Sequence, residues 1–438
     1  MHKLEVTLKQ HTPLIHFQHD QEGATLRATE VKPKLDRFIL TKLGKSPTPD
    51  QISIGHKVLK ECDKNLNFDE LTPYEKGKFI AKGLGWLIGK GEQPALDYKM
   101  KIISDSNDDN IKMPIEIKGT IDEKGRPVQD RDNNGNLLYK TTFSLILANM
   151  GGKKKSEIVN FSFSNEIKIL FSSFFVELIN VIENEIYEFF MVNNFGNRCD
   201  KGFGSYTVEK INDTPFELDE QYFEENTFVL EFELRRAGNL DLSYFKKIFG
   251  VIDYFWRRLK PGINYPNNYI KSYLYHYINQ EYQKTWEKQR IKEYFHIGNT
   301  NNQNINSNPP IFARALLGLP DKFEFENQKV TIEITHPEIE RIMAPIHFKP
   351  IIDGDKVIIY LLIKNEHFEN LHLPTDFTFT NNNNSMTLPL DIKIDYYDFL
   401  NKFCSSLKFE NNQRVFYPIS YTGKNILGNN NFVKINII

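Results

Sequence analysis

Residues 196–205 read GNRCDKGFGS. Three glycines, Gly196, Gly202 and Gly204, let a backbone adopt positive φ and bring its amides close to a ligand. Arg198 and Lys201 stand among them. Free N–H groups beside two cations have the chemistry of a phosphate cradle. Phe203, between two glycines, can lie flat against a base, and Ser205 closes the run. The competing reading is a glycine-rich turn that reverses the chain between a helix and a strand. No GxxxxGK[ST] occurs, which excludes a nucleotide loop of the Walker type.

A second basic run, LRATEVKPKLDR, occupies residues 26–37. Arg27, Lys32, Lys34 and Arg37 fall at or near the start of a helix expected from about Thr29 to Leu43, with Pro33 in its first turn. Four cations at a helix N-terminus suit a polyanion better than a lone carboxylate. The alternative is a solvated basic face. Later in the chain, His347 and Lys349 alternate in PIHFKPI and share one face of a strand. With Arg314 and Arg341 they would make a second anion site; otherwise the strand simply has one polar edge.

The loop after the first strand carries His11, His16, His19 and Asp20. An imidazole there could take the proton of a 2′-hydroxyl, and a second could protonate the leaving oxygen. Lys32 or Lys34 would stabilise the phosphorane charge. Isolated histidines are more often packed or capping groups, so this endoribonuclease is the runner-up to binding. His16 and His19 lack a third ligand at metal spacing, and no GxSxG, HExxH or EF-hand loop is present. No cofactor is expected.

These residues need elements to hold them. Alternation predicts strands over 3–9, 97–103, 111–118, 137–148, 157–164 and 206–211. A long amphipathic helix is expected over 165–192 with Ser164 as its N-cap. Residues 44–95 read as a helical insertion rich in glycine. The second half predicts strands at 227–236, 329–335, 345–352, 355–363 and from 431. Helices are expected at 241–259, 267–296 and near 392–408. Asn-rich runs at 299–308 and 381–384 read as surface loops. Each half thus follows a strand, helix, strands, late helix, last strand plan of ferredoxin-like type. The expected domains are 1–215, with the 44–95 insertion, and 216–438, with an insertion over about 241–298.

The bulk properties narrow the partners. The chain has 438 residues and a net charge of −2, so it is not basic over its whole surface, although a local basic groove remains possible. Cys62, Cys199 and Cys404 are far apart and form no CxxC, which argues against a disulfide or zinc framework. The start MHKLEVTLKQH has no apolar h-region, and the most apolar stretch, 167–192, carries four glutamates. A cytoplasmic protein with no membrane partner is expected.

The motifs together resemble the RAMP superfamily of CRISPR effector subunits. There a ferredoxin-like module carries a first-helix segment R-x-T-x-x-K-G-x-L-R and a late loop G-x-R-x-x-x-G-F-G-S. Arg27, Thr29, Lys32, Leu35 and, shifted by one, Arg37 match the first; Gly196, Arg198, Gly202, Phe203, Gly204 and Ser205 match the second. Residues 313–320 (ARALLGLP) and 339–349 (IERIMAPIHFK) resemble segments of the two-module subunit that caps the type III-B, Cmr, complex. Pro33 stands where that pattern has Gly, and Ala344 where it has Ser. The resemblance implies an α+β fold of two ferredoxin-like (RRM-like) modules with helical insertions. It also implies a non-catalytic, guide-RNA- and target-RNA-binding subunit in antiviral defence, with other effector subunits as partners. A protein-only assembly module is the further alternative.

Overall fold

The computed structural model describes residues 1–15, 26–62, 66–89, 95–104, 163–164, 166–216, 223, 227–235, 242–265, 268–298, 308–320, 322–325, 330–364, 368, 371–410, 412–420, 423–429 and 431–438, with short strand pieces between 111 and 161. The chain forms two compact units. One comprises Met1–Glu224 with Lys349–Ile351, the other Glu225–Phe348 with Ile352–Ile438.

In the first unit, β1 (His2–Gln10) leads to α1 (Ala28–Lys45), then α2 (Pro49–Cys62), α3 (Pro73–Gly83) and β2 (Lys99–Ser104). β3 (Ile167–Ser173), α4 (Val176–Met191), β4 (Tyr206–Ile211) and the short β5 (Thr214–Pro215) follow. The sheet order is β5-β4-β1-β3-β2 and its pairings are antiparallel. Without β5 this is the 4-1-3-2 order of a split βαββαβ module. Alternation drives it: Leu4, Val6 and Leu8 of β1 are buried, as are Ile167, Ile169 and Phe171 of β3. Val31, Leu35 and Ile39 give α1 its buried stripe.

Two expectations need correction here. The helix placed over 165–192 is a strand followed by a helix: Ile167–Ser173 bury every second residue and pair with β1, and the helix begins only at Val176. An apolar run with period two merged with one of period 3.6, and strand pairing separates them. Pro33 lies in the second turn of α1, because the helix starts at Ala28. The insertion is helical as expected, and its glycines serve packing: a Cβ on Gly77 would lie 1.8 Å from the Leu40 carbonyl, and one on Gly44 would lie 1.8 Å from that of Pro73. The backbones of α1 and α3 therefore touch. Glu75 and Thr72 close a capping box at the start of α3. Residues 115–117 pair with 139–141 and 119–121 with 127–129, while most of 137–159 lies outside the described residues.

In the second unit, β6 (Phe228–Glu233) is followed by α5 (Leu242–Leu259), α6 (Tyr273–Tyr282) and α7 (Lys288–Tyr294). Then come β7 (Lys322–Phe325), β8 (Val330–Thr335), β9 (Ile346–Asp353) and β10 (Lys356–Ile363). β11 (Thr375–Asn381), β12 (Asn384–Leu390), α8 (Tyr396–Ser405), β13 (Lys408–Glu410), β14 (Gln413–Phe416) and β15 (Val433–Ile437) complete it. The main sheet runs β9-β10-β6-β15-β14-β13, so its first four strands repeat the split βαββαβ order. Phe255 of α5 packs on Phe403 of α8 and Phe416 of β14 at ring distances of 5.2 and 5.7 Å. A separate sheet, β7-β8-β11-β12, was only partly legible: β11 and β12 pair through an Asn381–Asn384 turn, with Asn382 at φ +50°. The helix expected over 267–296 is broken into a hairpin (Ile263–Tyr265 with Asn268–Ile270), α6 and α7, with Gln283 left-handed at the end of α6. The fold is α+β, with two ferredoxin-like modules and helical insertions.

Candidate nucleic-acid interface

α4 ends at Met191, and the chain returns through the 196–205 loop to β4. The loop closes on itself, with Phe195 N–H donating to the Gly204 carbonyl at 2.9 Å. It is then strapped along the segment after β1. Gly204 N–H donates to Pro13 O (2.9 Å), Asn197 N–H to Ile15 O (2.7 Å) and His11 N–H to Ser205 O (2.8 Å). The Thr12 hydroxyl donates to Gly202 O (2.6 Å) and accepts from Ser205 N–H (2.9 Å). Glycine is required at two of these points: a Cβ on Gly204 would lie 2.0 Å from Phe195 O, and one on Gly196 would lie 2.5 Å from Ile15 O. The expected free-amide cradle is therefore corrected, because these N–H groups are consumed by chain-to-chain contacts.

The side chains of the loop divide in two. Phe203 is 1% exposed and Ser205 fully buried, its hydroxyl donating to the Pro350 carbonyl at 2.7 Å. Phe203 is thus a core ring, not a base-stacking platform. Lys201 is buried and lies 3.0 Å from Asp200. Arg198 sits at a left-handed φ of +56° and is half-buried. Burial draws its pKa below the ordinary guanidinium value, against the pull of Asp200.

The α1 cations divide in the same way. Lys32 reaches Asp36 at 3.1 Å and the Leu96 carbonyl at 2.8 Å, and lies 3.6 Å above the Tyr98 ring. Burial lowers the Lys32 pKa and raises that of Asp36. Lys32 therefore ties α1 to the strand region beside it. Lys34 pairs with Glu30 at 3.1 Å, donates to Asn194 O at 3.4 Å and lies 4.9 Å from the Phe195 ring centre. Glu30 in turn accepts from Gly196 N–H at 2.6 Å, across 166 positions of sequence. So the two basic islands meet, and a glutamate that sequence reasoning passed over joins them. Its i,i+4 spacing to Lys34 was the available signal. Arg27 precedes α1 half-buried, and Arg37 is exposed with its guanidinium 5.1 Å from the Tyr74 ring.

The second pair of islands also meets, but through the backbone. Leu319 N–H donates to Ile342 O at 3.0 Å, and a Cβ on Gly318 would lie 3.1 Å from Ala344. The expected anion site of Arg314, Arg341, His347 and Lys349 is not built as one cluster. Arg314 Nε lies 2.9 Å from an oxygen of fully buried Glu287, an ionic contact without aligned hydrogen-bond geometry. Within the first unit, Lys349 is fully buried and donates to Asn193 O (3.0 Å) and Tyr206 O (2.7 Å). His347 is buried and Arg341 exposed.

Of the histidine loop, His11 is 2% exposed with Nε2 2.8 Å from the Thr207 hydroxyl, a packed role. His16, His19 and Asp20 lie outside the described residues. Among the described residues no helix is long and apolar enough to cross a membrane, and no three His, Cys, Asp or Glu side chains are placed to hold a metal. None of the three cysteines forms a disulfide.

Comparison with known proteins covers both units, with a boundary that falls after α5 and not at Glu224. Residues 1–263 match the family described as the Cmr1 N-terminal domain, and residues 269–426 match the Cmr1 C-terminal domain. No curated protein sequence matches the chain. Among solved structures, Cmr1 from Pyrococcus furiosus in its apo form aligns over 92% of this chain and 97% of its own, at 8% identity and a TM-score of 0.35. With family matches spanning both units, the chain belongs to the Cmr1 family of RAMP subunits of type III-B CRISPR complexes.

Proposed function

We propose that this chain is an RNA-binding, non-catalytic subunit of a type III-B CRISPR ribonucleoprotein, holding guide RNA and single-stranded target RNA while contacting other effector subunits. One observation carries the reading: the Glu30–Gly196 and Lys34–Asn194 contacts rivet the start of α1 to the 196–205 loop. Arg27, Arg37 and Arg198 then stand on two elements held together, none of them fully buried. Guanidinium groups keep their charge through the physiological range and match phosphate geometry. Contacts of this kind follow the backbone and carry little base information. The loop glycines, the half-buried Lys32 and the buried Lys201, Phe203 and Ser205 build the platform. Catalysis by the early residues is disfavoured by their engagements: His11 is packed on Thr207 and Lys32 is held by Asp36.

The test begins with nucleic acid extracted from protein purified at low salt, where RNA of one size class is expected. Arg37→Glu with Arg198→Glu should then weaken single-stranded RNA binding by about tenfold or more at low salt, with an unchanged circular dichroism spectrum. Equal affinity in that folded variant would remove this assignment. Metal-independent cleavage by the wild type, lost on His16→Ala or His19→Ala, would replace binding with the nuclease alternative.

A further inference from the structure

The helical insertion of the second unit holds a group of cations that the first-unit reading does not use. Lys288 and Lys292 are one turn apart on α7, a like-charge i,i+4 pair that costs helix stability. Arg314 approaches from the Ala313–Leu317 turn, and Glu287 is the carboxylate at the centre. Glu287 is fully buried and in contact with Arg314, so it neutralises that guanidinium. Among the described residues neither Lys288 nor Lys292 has a carboxylate within ion-pair distance. The cluster therefore keeps an excess of positive charge. Its lysines sit on aromatic faces: Lys288 Nζ is 4.7 Å from the Tyr269 ring centre and 5.9 Å from that of Trp286. Next to it, Tyr275 lies 5.2 Å from Trp286 and carries Lys271 at 4.0 Å.

We infer that α7 of the second unit carries its own phosphate-binding site, with Lys288 and Lys292 holding backbone phosphates of a single-stranded RNA. The inference rests on the RNA-binding reading and adds a separate site to it. Unneutralised lysines beside half-exposed tyrosines are the composition of single-strand grooves, where phosphates meet cations and bases meet rings. A bound phosphate relieves the repulsion among Lys288, Lys292 and Arg314. The same crowding, together with burial, lowers the Lys288 pKa to about 8. An acidic polypeptide offers charge but nothing for the rings, which favours RNA.

The experiment measures binding of a labelled single-stranded RNA to the full chain across a salt series. Wild type, Lys288→Gln with Lys292→Gln, and Lys288→Arg with Lys292→Arg are compared. Loss of two phosphate contacts should make the log–log salt slope of the Gln variant shallower by about 1.4, with the Arg variant retaining the wild-type slope. Wild-type binding with an unchanged slope in the folded Gln variant overturns this site and leaves the first-unit reading standing. If the wild type binds polyglutamate through these lysines and no RNA, the ligand is an acidic polypeptide and both RNA readings fall. Binding of neither polyanion overturns both as well.

Discussion

The two units share one strand order and use their cations differently. In the first, Lys32, Lys34, Lys201 and Lys349 are each engaged by carboxylates or carbonyls of the fold. In the second, one buried carboxylate, Glu287, faces Arg314, while among the described residues Lys288 and Lys292 have ring faces and no carboxylate at ion-pair distance. A cation whose partners are already supplied by the chain stabilises structure. A cation left in excess is available to a ligand. Basic residues can therefore do either, and burial with partner count tells them apart.

The comparison can be broken most strongly at Arg314. Arg314→Ala leaves Glu287 buried without its partner and should cost about 3–5 kcal/mol in denaturant unfolding. Adding Glu287→Leu should restore much of that. If Arg314→Ala proves neutral, the pair is not what holds this turn. Gly204→Val comes next. Its side chain would strike Phe195 O at a positive φ, with an expected loss of about 2–4 kcal/mol and of the near-ultraviolet signal. By contrast Lys288→Gln with Lys292→Gln should not lower stability at pH 7, since those lysines carry like charges that repel.

A pH series sharpens the contrast further. The groups facing Lys288 are Arg314 and Lys292, which lower its pKa after burial, Glu287, which raises it, and the Tyr269 ring. With that pKa at about 8, Lys288 loses its charge as pH rises from 7 to 9. RNA affinity should fall over that range, and Lys288→Arg should flatten the fall; a flat wild-type profile would place RNA elsewhere. The same titration acts on stability with the opposite sign. Lys288 titrates at about 8 in the fold against an ordinary 10.5, so between those values the unfolded chain binds more protons. Stability therefore gains an increment on the order of 2 kcal/mol as pH rises from 8 to 10. That increment should vanish in Lys288→Gln, measured by denaturant midpoints at pH 8 and 10.

Much of this was legible in the chain. The alternation of β1, the apolar stripe of α1 and the late helix α8 follow from period alone, and two ferredoxin-like plans emerged from their order. The 167–191 stretch misled because its strand and its helix are both apolar, and only pairing with β1 separates them. The strands around Asn381–Asn384 were hidden by an asparagine run that reads as a loop and is in fact a two-residue turn. At the candidate site, the residue types of GNRCDKGFGS and LRATEVKPKLDR suggested a polyanion, yet nothing local announces that Glu30 binds the Gly196 amide.

The sequence by itself determined which segments are basic, which are glycine-rich and which period each element follows, because those depend on residue type and near neighbours. Only the tertiary structure decided which of those cations are engaged by the fold and which keep an uncompensated charge. Desolvation and ion pairing depend on partners 64 to 166 positions away, as at Lys32–Leu96 and Gly196–Glu30, and only the fold brings such partners together.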